Sequence, residues 1–250
     1  MQNKYVGDVG DFGKYGLLRA LTGHNPKENQ KFSLGVVWHL VPDETHTNDG
    51  KHIRYLEDTD GNRKSFQNCD EKLWGALQII VKERRRSVAS IKQAGILPDT
   101  PDTVFFSEEV PLDKEGRQGW LGRAKDTVAK CDLIFLDPDN GLECKSVRPG
   151  TKKSPKYAFF DELAIFCERG RRNLVIYHHL GRHKSAEKQI THYRDAIRKT
   201  LKAESFVMQY HRGTARAFFV IPARNHKGLF CSRMHQFVQG SWGKHFTLHC

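Results

Sequence analysis

Short apolar stretches alternate along this chain with segments in which apolar residues recur at every third or fourth position. The apolar stretches are rich in β-branched and aromatic residues, which favours buried β-strands. The six predicted strands are Phe32–Leu40, Thr103–Phe106, Asp132–Asp137, Asn173–His178, Ser205–Tyr210 and Ala215–Ile221.

Helical spacing fills most of the intervals between these strands. It is carried by Leu73, Leu77, Ile80 and Val81 in one segment and by Trp120, Leu121, Ala124 and Val128 in another. A third helix is predicted over Phe159–Glu168, and a fourth runs from an N-cap at Ser185 to Leu201. Near the N-terminus, Asp11 is predicted to cap a helix that follows a Gly-rich turn.

The order of these elements predicts a three-layer α/β fold. Strands that alternate with helices form a parallel sheet covered on both faces. The last two predicted strands are joined by "HRGT", which is short enough only for an antiparallel hairpin. We therefore expect a mostly parallel sheet that ends in an antiparallel hairpin. Because no linker rich in Pro, Gly or Ser interrupts the chain, we expect residues 1–250 to form a single domain.

Polar residues cluster where two of the predicted strands end. Asp137, Asp139 and Asn140 follow one strand, and His178 and His179 end the next. The carboxyl ends of neighbouring parallel strands share one edge, where α/β proteins bind ligands. These side chains are therefore the predicted catalytic site. Successive strand residues point to opposite faces, so one of the two histidines should face this site. Asp139 and Asn140 are expected in an exposed loop.

The element order resembles the Rossmann-like fold of nucleic-acid base methyltransferases. In that family the fourth strand ends in an (Asp/Asn)-Pro-Pro-aromatic motif, to which Asp137-Pro138-Asp139-Asn140 would correspond here. An N-terminal segment containing Asp8, Asp11 and Lys14 before a helix is a further similarity. The resemblance implies S-adenosylmethionine as cofactor. However, the segment after the first predicted strand, "VPDETHTNDGKHIRYL", contains Gly50 as its only glycine and lacks the family's Gly-rich cofactor turn. We therefore expect the fold to be kept without the cofactor.

The segment from Asp137 to Gly141 also fits Asp-Pro-x-x-Gly, which resembles the first motif of uracil-DNA glycosylases. The resemblance implies that the aspartate acts at the sugar or positions a water. It also implies that a histidine at the end of a later strand lies near the departing base. The principal expectation is a DNA glycosylase that flips out a base and excises it, in repair or in defence against foreign DNA. Asn140 would read the base edge, and neither a metal nor another cofactor is expected.

The charge of the chain supports a nucleic-acid partner. Its formal net charge is +12 and its pI is about 9.5, which favours a polyanion. Two loops that follow the predicted catalytic strands carry the candidate phosphate-binding residues Lys145, Arg148, Lys152, Lys153, Lys156, Arg182 and Lys184. DNA is the expected partner, and RNA is the alternative.

The remaining composition favours a cytoplasmic protein. No run of about 18 apolar residues exists, and the N-terminus lacks the apolar region of a signal peptide. The six cysteines are scattered without pairing, as expected for reduced thiols.

Four other functions remain open. The first alternative is an S-adenosylmethionine-dependent nucleic-acid methyltransferase. A nuclease is suggested by Glu143-x-Lys145, and the pairs Cys231/His235 and His245/His249 have the spacing of zinc ligands. A nucleic-acid-binding protein without catalytic activity is the fourth.

The basic loops predict salt-sensitive DNA binding through Lys145, Arg148, Lys152, Lys153, Lys156 and Arg182. Phosphate contacts release counterions, so affinity should fall steeply between low and moderate salt. Replacing these residues by glutamine should flatten the salt dependence. The measurement is a fluorescence titration with labelled DNA, and an affinity that does not respond to salt would contradict the prediction.

Overall fold

The computed structural model describes residues 1–23, 29–46, 49–98 and 103–250. Its strands are β1 (Leu34–Val37), β2 (Thr103–Phe106), β3 (Leu133–Leu136), β4 (Gly141–Leu142), β5 (Tyr157–Ala158), β6 (Asn173–His179), β7 (Phe206–Tyr210), β8 (Arg216–Ile221) and β9 (Phe246–His249). Its α-helices are α1 (Val9–Leu21), α2 (Asp60–Ser65), α3 (Glu71–Lys82), α4 (Val88–Gln93), α5 (Lys114–Thr127), α6 (Phe160–Cys167), α7 (Ala186–Leu201) and α8 (Lys227–Gln239). Short 3₁₀ turns lie at Asn3–Tyr5, Arg54–Leu56, Gln67–Cys69, Ser154–Lys156, Glu168–Gly170, Arg224–His226 and Ser241–Lys244.

Seven of the strands form one sheet in the order β2–β1–β3–β6–β8–β7–β9 in the described part of the chain. The first four run parallel, with Leu34 paired to Leu133 and Leu133 to Asn173. Strand β8 is antiparallel to both of its neighbours, β6 and β7, and β9 is antiparallel to β7. Strands β4 and β5 form a separate parallel pair. The carboxyl ends of β1, β3 and β6 therefore meet at one edge.

Alternating side chains of the central strands build two cores, one on each face of the sheet. On one face, Val36, Phe135 and Val175 pack with apolar residues of α1, α3 and α8. On the other, Ile134 and Ile176 pack with those of α5, α6 and α7. The predicted three-layer α/β architecture is confirmed. Because the parallel strands are buried on both faces, they read as continuous apolar runs in the sequence.

Most predicted elements are confirmed, with shorter bounds at several ends. The strand predicted over Phe32–Leu40 spans only β1, since His39 has a left-handed backbone (φ +42°) that ends the extended conformation. Ser185 is the N-cap of α7, as predicted. The predicted hairpin of β7 and β8 is also confirmed. It does not end the sheet, however, because β9 pairs with β7 and forms the edge strand.

The N-terminal helix α1 begins earlier than predicted. Its N-cap is Asp8, whose carboxylate accepts the peptide N–H of Gly10 at 2.9 Å, whereas Asp11 lies inside the first turn. The prediction of Asp11 as the cap was wrong because both residues suit a helix start, and only the backbone distinguishes them. Helix α1 crosses the strand ends and so brings Asp11 and Lys14 towards the carboxyl edge of the sheet.

Close approach between α1 and the antiparallel strands explains its glycine at position 13. A Cβ at Gly13 would lie 2.5 Å from the ring of Tyr210 in β7, and this ring is fully buried. A side chain there would push the helix off the sheet. The glycine repeat of this segment therefore allows close packing in this fold. A Gly-rich cofactor-binding turn would follow a β-strand, and no strand precedes α1 in the described part of the chain.

We predict that Gly13→Ala lowers the free energy of unfolding by about 1–3 kcal/mol, because the methyl group overpacks against Tyr210. Gly75→Ala is the matched control, since Gly75 lies in α3 and a Cβ there would have no atom within 4 Å. In the control, alanine should be neutral or stabilise by about 0.5–1 kcal/mol. Urea unfolding measures both, and equal stability of the two variants would contradict this account of α1 packing.

Candidate active site

A cavity of about 350 Å³ opens at the carboxyl edge of the sheet. Its walls come from five separate parts of the chain: the N-terminal segment with the start of α1, the segment 49–52, the end of β3, the end of β6, and the start of β8. The volume lies within the range of about 300–1,000 Å³ that is typical of small-molecule sites. All parts of the chain that contribute predicted catalytic residues reach this cavity.

The floor of the cavity holds a buried triad of charges. The Lys14 ammonium lies 2.8 Å from Asp11 Oδ1 and 2.7 Å from Asp137 Oδ2, and all three side chains are at most 5% exposed. Burial alone lowers the pKa of Lys14, but the charges of Asp11 and Asp137 outweigh it and raise the pKa above its ordinary value. Burial raises the pKa of Asp11, and Lys14 opposes this effect. Lys14 is therefore a fixed cation that binds α1 to the end of β3.

Asp139 is buried, and its two carboxylate oxygens have different surroundings. Its Oδ2 accepts a hydrogen bond from Gln2 Nε2 at 3.0 Å and lies 3.3 Å from Lys156 Nζ. Its Oδ1 is buried without a hydrogen-bond partner among the described residues, and the Met1 ammonium lies 3.7 Å from it. The side chain is only 2% exposed, so the expectation of an exposed loop is wrong for Asp139. The N-terminal segment covers this loop, which the local sequence of the loop does not reveal.

Asn140 and the two histidines are divided between the cavity and the core. Asn140 and His179 line the cavity, and the His179 peptide N–H donates to Asn140 O at 3.1 Å. His178 points to the opposite face, where its ring lies 4.0 Å from that of Tyr193 and its Nδ1 accepts the N–H of Leu142. Burial lowers the pKa of His178 to about 3. His178 is therefore a neutral core residue, and of the two histidines His179 is the one that lines the cavity.

Close packing behind His178 also explains the glycine of Asp-Pro-x-x-Gly. Gly141 has φ +110°, and a Cβ there would lie 2.6 Å from the His178 Cα. Only glycine combines this backbone conformation with so close a neighbour. The motif thus turns the chain after β3 and sets Asp139 and Asn140 towards the cavity.

Arg216, at the start of β8, completes the cavity wall. The Arg216 guanidinium lies 3.2 Å from Asp8 Oδ1, and Asp8 Oδ2 accepts the peptide N–H of His52 at 3.0 Å. Tyr177, two residues before His179 on β6, lines the same wall. Burial raises the pKa of Tyr177, so its hydroxyl is a neutral donor or acceptor. The predicted cluster of Asp8, Asp11 and Lys14 is thereby part of the same cavity as Asp137.

The seven predicted phosphate-binding residues separate into two groups. Six are exposed, namely Lys145, Arg148, Lys152, Lys153, Arg182 and Lys184, and Arg182 also lines the cavity. Lys156 differs, because its ammonium lies 2.6 Å from Glu44 and 3.3 Å from Asp139. The interpretation of Lys156 as a phosphate ligand is therefore corrected: it neutralises two carboxylates beside the cavity.

The motifs behind the nuclease and zinc alternatives lie outside the cavity. Glu143 accepts the N–H of Phe160 at 2.7 Å and so caps α6. The ring of His245 accepts Arg212 Nε at 2.7 Å. Within the described ranges, no group of three or more His, Cys, Asp and Glu residues is arranged to hold a metal ion. The six cysteines are free thiols. No helix in the described part of the chain has the length and apolar character needed to cross a membrane.

Several cavity residues were not predicted from the sequence. Gln2, Tyr5, His52, Tyr177 and Arg216 line the cavity or bind its carboxylates. The sequence does contain a signal for Tyr177. Residues two positions apart on a strand point to the same face, so Tyr177 shares a face with His179 on β6. Comparison of the chain with known protein families and with curated proteins finds no match.

We predict that Lys14→Met lowers the free energy of unfolding by about 3–5 kcal/mol at neutral pH, because two carboxylates lose their buried counterion. Without Lys14, burial acts unopposed and raises the pKa of Asp11 further in the folded state. The folded variant then binds a proton before the unfolded chain does, so its stability should rise as the pH falls towards 5.

Urea unfolding of this variant at pH 8 and about pH 5 gives the two values to compare. Lys92→Met serves as the control, since Lys92 is exposed on α4 and its loss should leave stability nearly unchanged at both pH values. A deficit in Lys14→Met that is the same at both pH values would contradict the buried triad.

Proposed function

We propose that this protein is a DNA glycosylase that hydrolyses the N-glycosidic bond of a nucleotide flipped into the cavity. The observation that carries the proposal is the convergence of Asp137, Asp139, Asn140 and His179 on one cavity of about 350 Å³. The reaction adds a water oxygen to C1′ of the sugar. The C1′–N bond breaks with its electron pair on the base, which then takes up a proton. Base flipping is required because this bond is inaccessible in a stacked duplex.

The charge of the cavity wall favours a cationic transition state. Five carboxylate side chains line it, from Asp8, Asp11, Asp49, Asp137 and Asp139. Against them stand four cationic side chains, from Lys14, Lys51, Arg182 and Arg216, and the Met1 amino group, whose pKa burial lowers. Lys14 and Arg216 are paired with carboxylates at 2.7–3.2 Å and are not free for a ligand. Glycosidic cleavage develops positive charge on the sugar, which fixed carboxylates stabilise.

Asp139 is the carboxylate best suited to act at the sugar. Gln2 and Lys156 hold its Oδ2, which sets the orientation of the group. Its Oδ1 has no hydrogen-bond partner among the described residues and lies 3.7 Å from the Met1 ammonium. A buried acceptor without a partner costs free energy unless a ligand or water occupies it. Asp137, by contrast, is engaged by Lys14. We therefore assign Asp139 to the attacking water or the sugar cation, and Asp137 to the charge network beneath it.

The departing base is assigned to Asn140 and His179. An asparagine amide offers a donor and an acceptor to the edge of a base. Burial, with Arg216 as a smaller contribution, lowers the pKa of His179, so its imidazole is neutral near pH 7. A neutral imidazole can donate one hydrogen bond to the negative charge that develops on the base. Exposed Arg182 at the mouth suits a flanking phosphate.

A methyltransferase is the second candidate, and the strand order favours it. Strand β8 lies antiparallel between β6 and β7, and Asp137-Pro138 follows β3, as in the fold that the sequence resembles. The cofactor of that fold binds beside the turn after the first strand. In this chain the turn is filled by the buried side chains of Trp38 and Met1, and the Met1 nitrogen donates to His39 O at 2.9 Å. This packing favours the glycosylase.

The test is alkali-sensitive strand breakage after incubation of the protein with unmodified and base-modified DNA in EDTA. We expect abasic sites on at least one DNA. Asp139→Asn should lower kcat by about 10²–10³-fold, and Asn140→Ala should abolish excision. Circular dichroism should show that both variants are folded. Asp126→Asn is the control, because this exposed carboxylate of α5 lies far from the carboxyl edge, and it should keep full activity.

Two outcomes would contradict the proposal. The first is the absence of abasic sites on every DNA together with methyl transfer from labelled S-adenosylmethionine, which establishes the second candidate. The second is excision that Asp139→Asn leaves unchanged. Calorimetry with S-adenosylmethionine separates the two candidates independently of turnover.

A further inference from the structure

We infer that the exposed basic face of α7 binds the phosphate backbone of the duplex on one side of the flipped nucleotide. This inference rests on the proposed function, and it names the surface along which the flanking DNA leaves the cavity. We define the basic face as Lys188, His192, Lys199 and Lys202, all of which are exposed.

The packing of α7 determines which of its sides faces solvent. Ile190, Tyr193 and Ile197 are buried in the core that α7 shares with α5 and α6. Residues spaced by three, four or seven positions lie on one side of a helix, so this set marks the inner side. Lys188, His192 and Lys199 are spaced by four and seven and therefore share the outer side.

The lysines outnumber the acidic residues of this face, although Asp195 shares it, four residues before Lys199. Glu187 and Arg194 lie on the side of α7 that faces β9. The charge of Glu187 acts on His249 of β9, and Arg194 donates to Cys250 O at 2.7 Å. Asp195 is paired with Arg198 at 2.8 Å. Within the described part of the chain, Lys188, Lys199 and Lys202 form no ion pair, in line with their exposure. Three lysines are thus available to a polyanion.

The basic face begins at the mouth of the cavity. His179 lines the cavity at the end of β6, the exposed residues Arg182 and Lys184 follow, and α7 starts at Ala186. The 16 residues of α7 extend away from this edge over about 24 Å at 1.5 Å per residue. A duplex of about seven base pairs, at 3.4 Å each, has this length. One arm of a bound duplex can therefore follow the helix from the flipped nucleotide outwards.

Because one duplex arm follows α7, we predict that affinity depends on the length of the DNA arm on one side of the flipped nucleotide only. Duplexes that carry the target nucleotide are lengthened separately on the 5′ or the 3′ side, from about four to about twelve base pairs. The wild-type protein should gain affinity on lengthening one arm, up to about seven base pairs. In the double variant Lys188→Gln/Lys199→Gln that gain should disappear, and the slope of log affinity against log salt should fall by about two.

Lys125→Gln/Lys130→Gln is the matched control. It removes the same charge from two exposed lysines on the same face of the sheet, at the edge opposite the cavity, and should keep the arm dependence and the slope. Excision from a short single-stranded oligonucleotide serves as a second measurement, and both variants should retain it. Retained excision with equal salt slopes in the two double variants would overturn this inference while leaving the glycosylase intact.

Other outcomes separate the inference from the proposed function. Loss of arm dependence in the α7 variant, in a protein that excises no base, supports the DNA surface and contradicts the glycosylase. Affinity gains from both arms equally, or tighter binding of an RNA duplex of the same length, would overturn the assignment of α7 to one arm of DNA.

Discussion

The ion pairs of Lys14 with Asp11 and Asp137 are the contact on which the site depends. They join α1 to the end of β3 across 123 positions of sequence. In a buried position, the charge of each group requires its partners, because an unpaired buried charge costs several kcal/mol. The triad therefore fixes how α1 lies over the carboxyl edge, and the cavity is the space that remains between them.

The rest of the wall is built around the same helix. Asp8 at its N-cap pairs with Arg216 of β8, so α1 contacts both the carboxyl end of the parallel strand β3 and the antiparallel strand β8. Tyr210 approaches the helix where it has Gly13, which allows the two to pack without a side chain between them. In the described part of the chain, Asp139 Oδ1 is buried beside this network without a hydrogen bond, and the Met1 ammonium lies 3.7 Å from it.

The two adjacent histidines of β6 lie on opposite faces of the sheet and have different surroundings. His178 is neutral and buried against Tyr193, and it supports the turn at Gly141 through Leu142. His179 lies on the other face with Tyr177 and lines the cavity. The cationic surface is divided in a similar way: Lys156 neutralises Asp139 and Glu44, while the exposed lysines of its loop remain available to phosphates. Position relative to one sheet edge thus separates buried groups from cavity-lining or exposed groups of the same type.

The local pattern of the sequence was sufficient to predict the α/β class, the hairpin of β7 and β8, and the placement of Asp137, Asp139, Asn140 and His179 at one edge. These features follow from periodicity and from the common direction of parallel strands, which are properties of short segments. Tertiary structure alone decided that Asp8, Asp11 and Lys14 join that edge, that Lys156 binds Asp139, and that Arg216 completes the wall. These contacts connect residues far apart in sequence, and they depend on the position of α1 and on strand order, which hydrophobic periodicity does not encode.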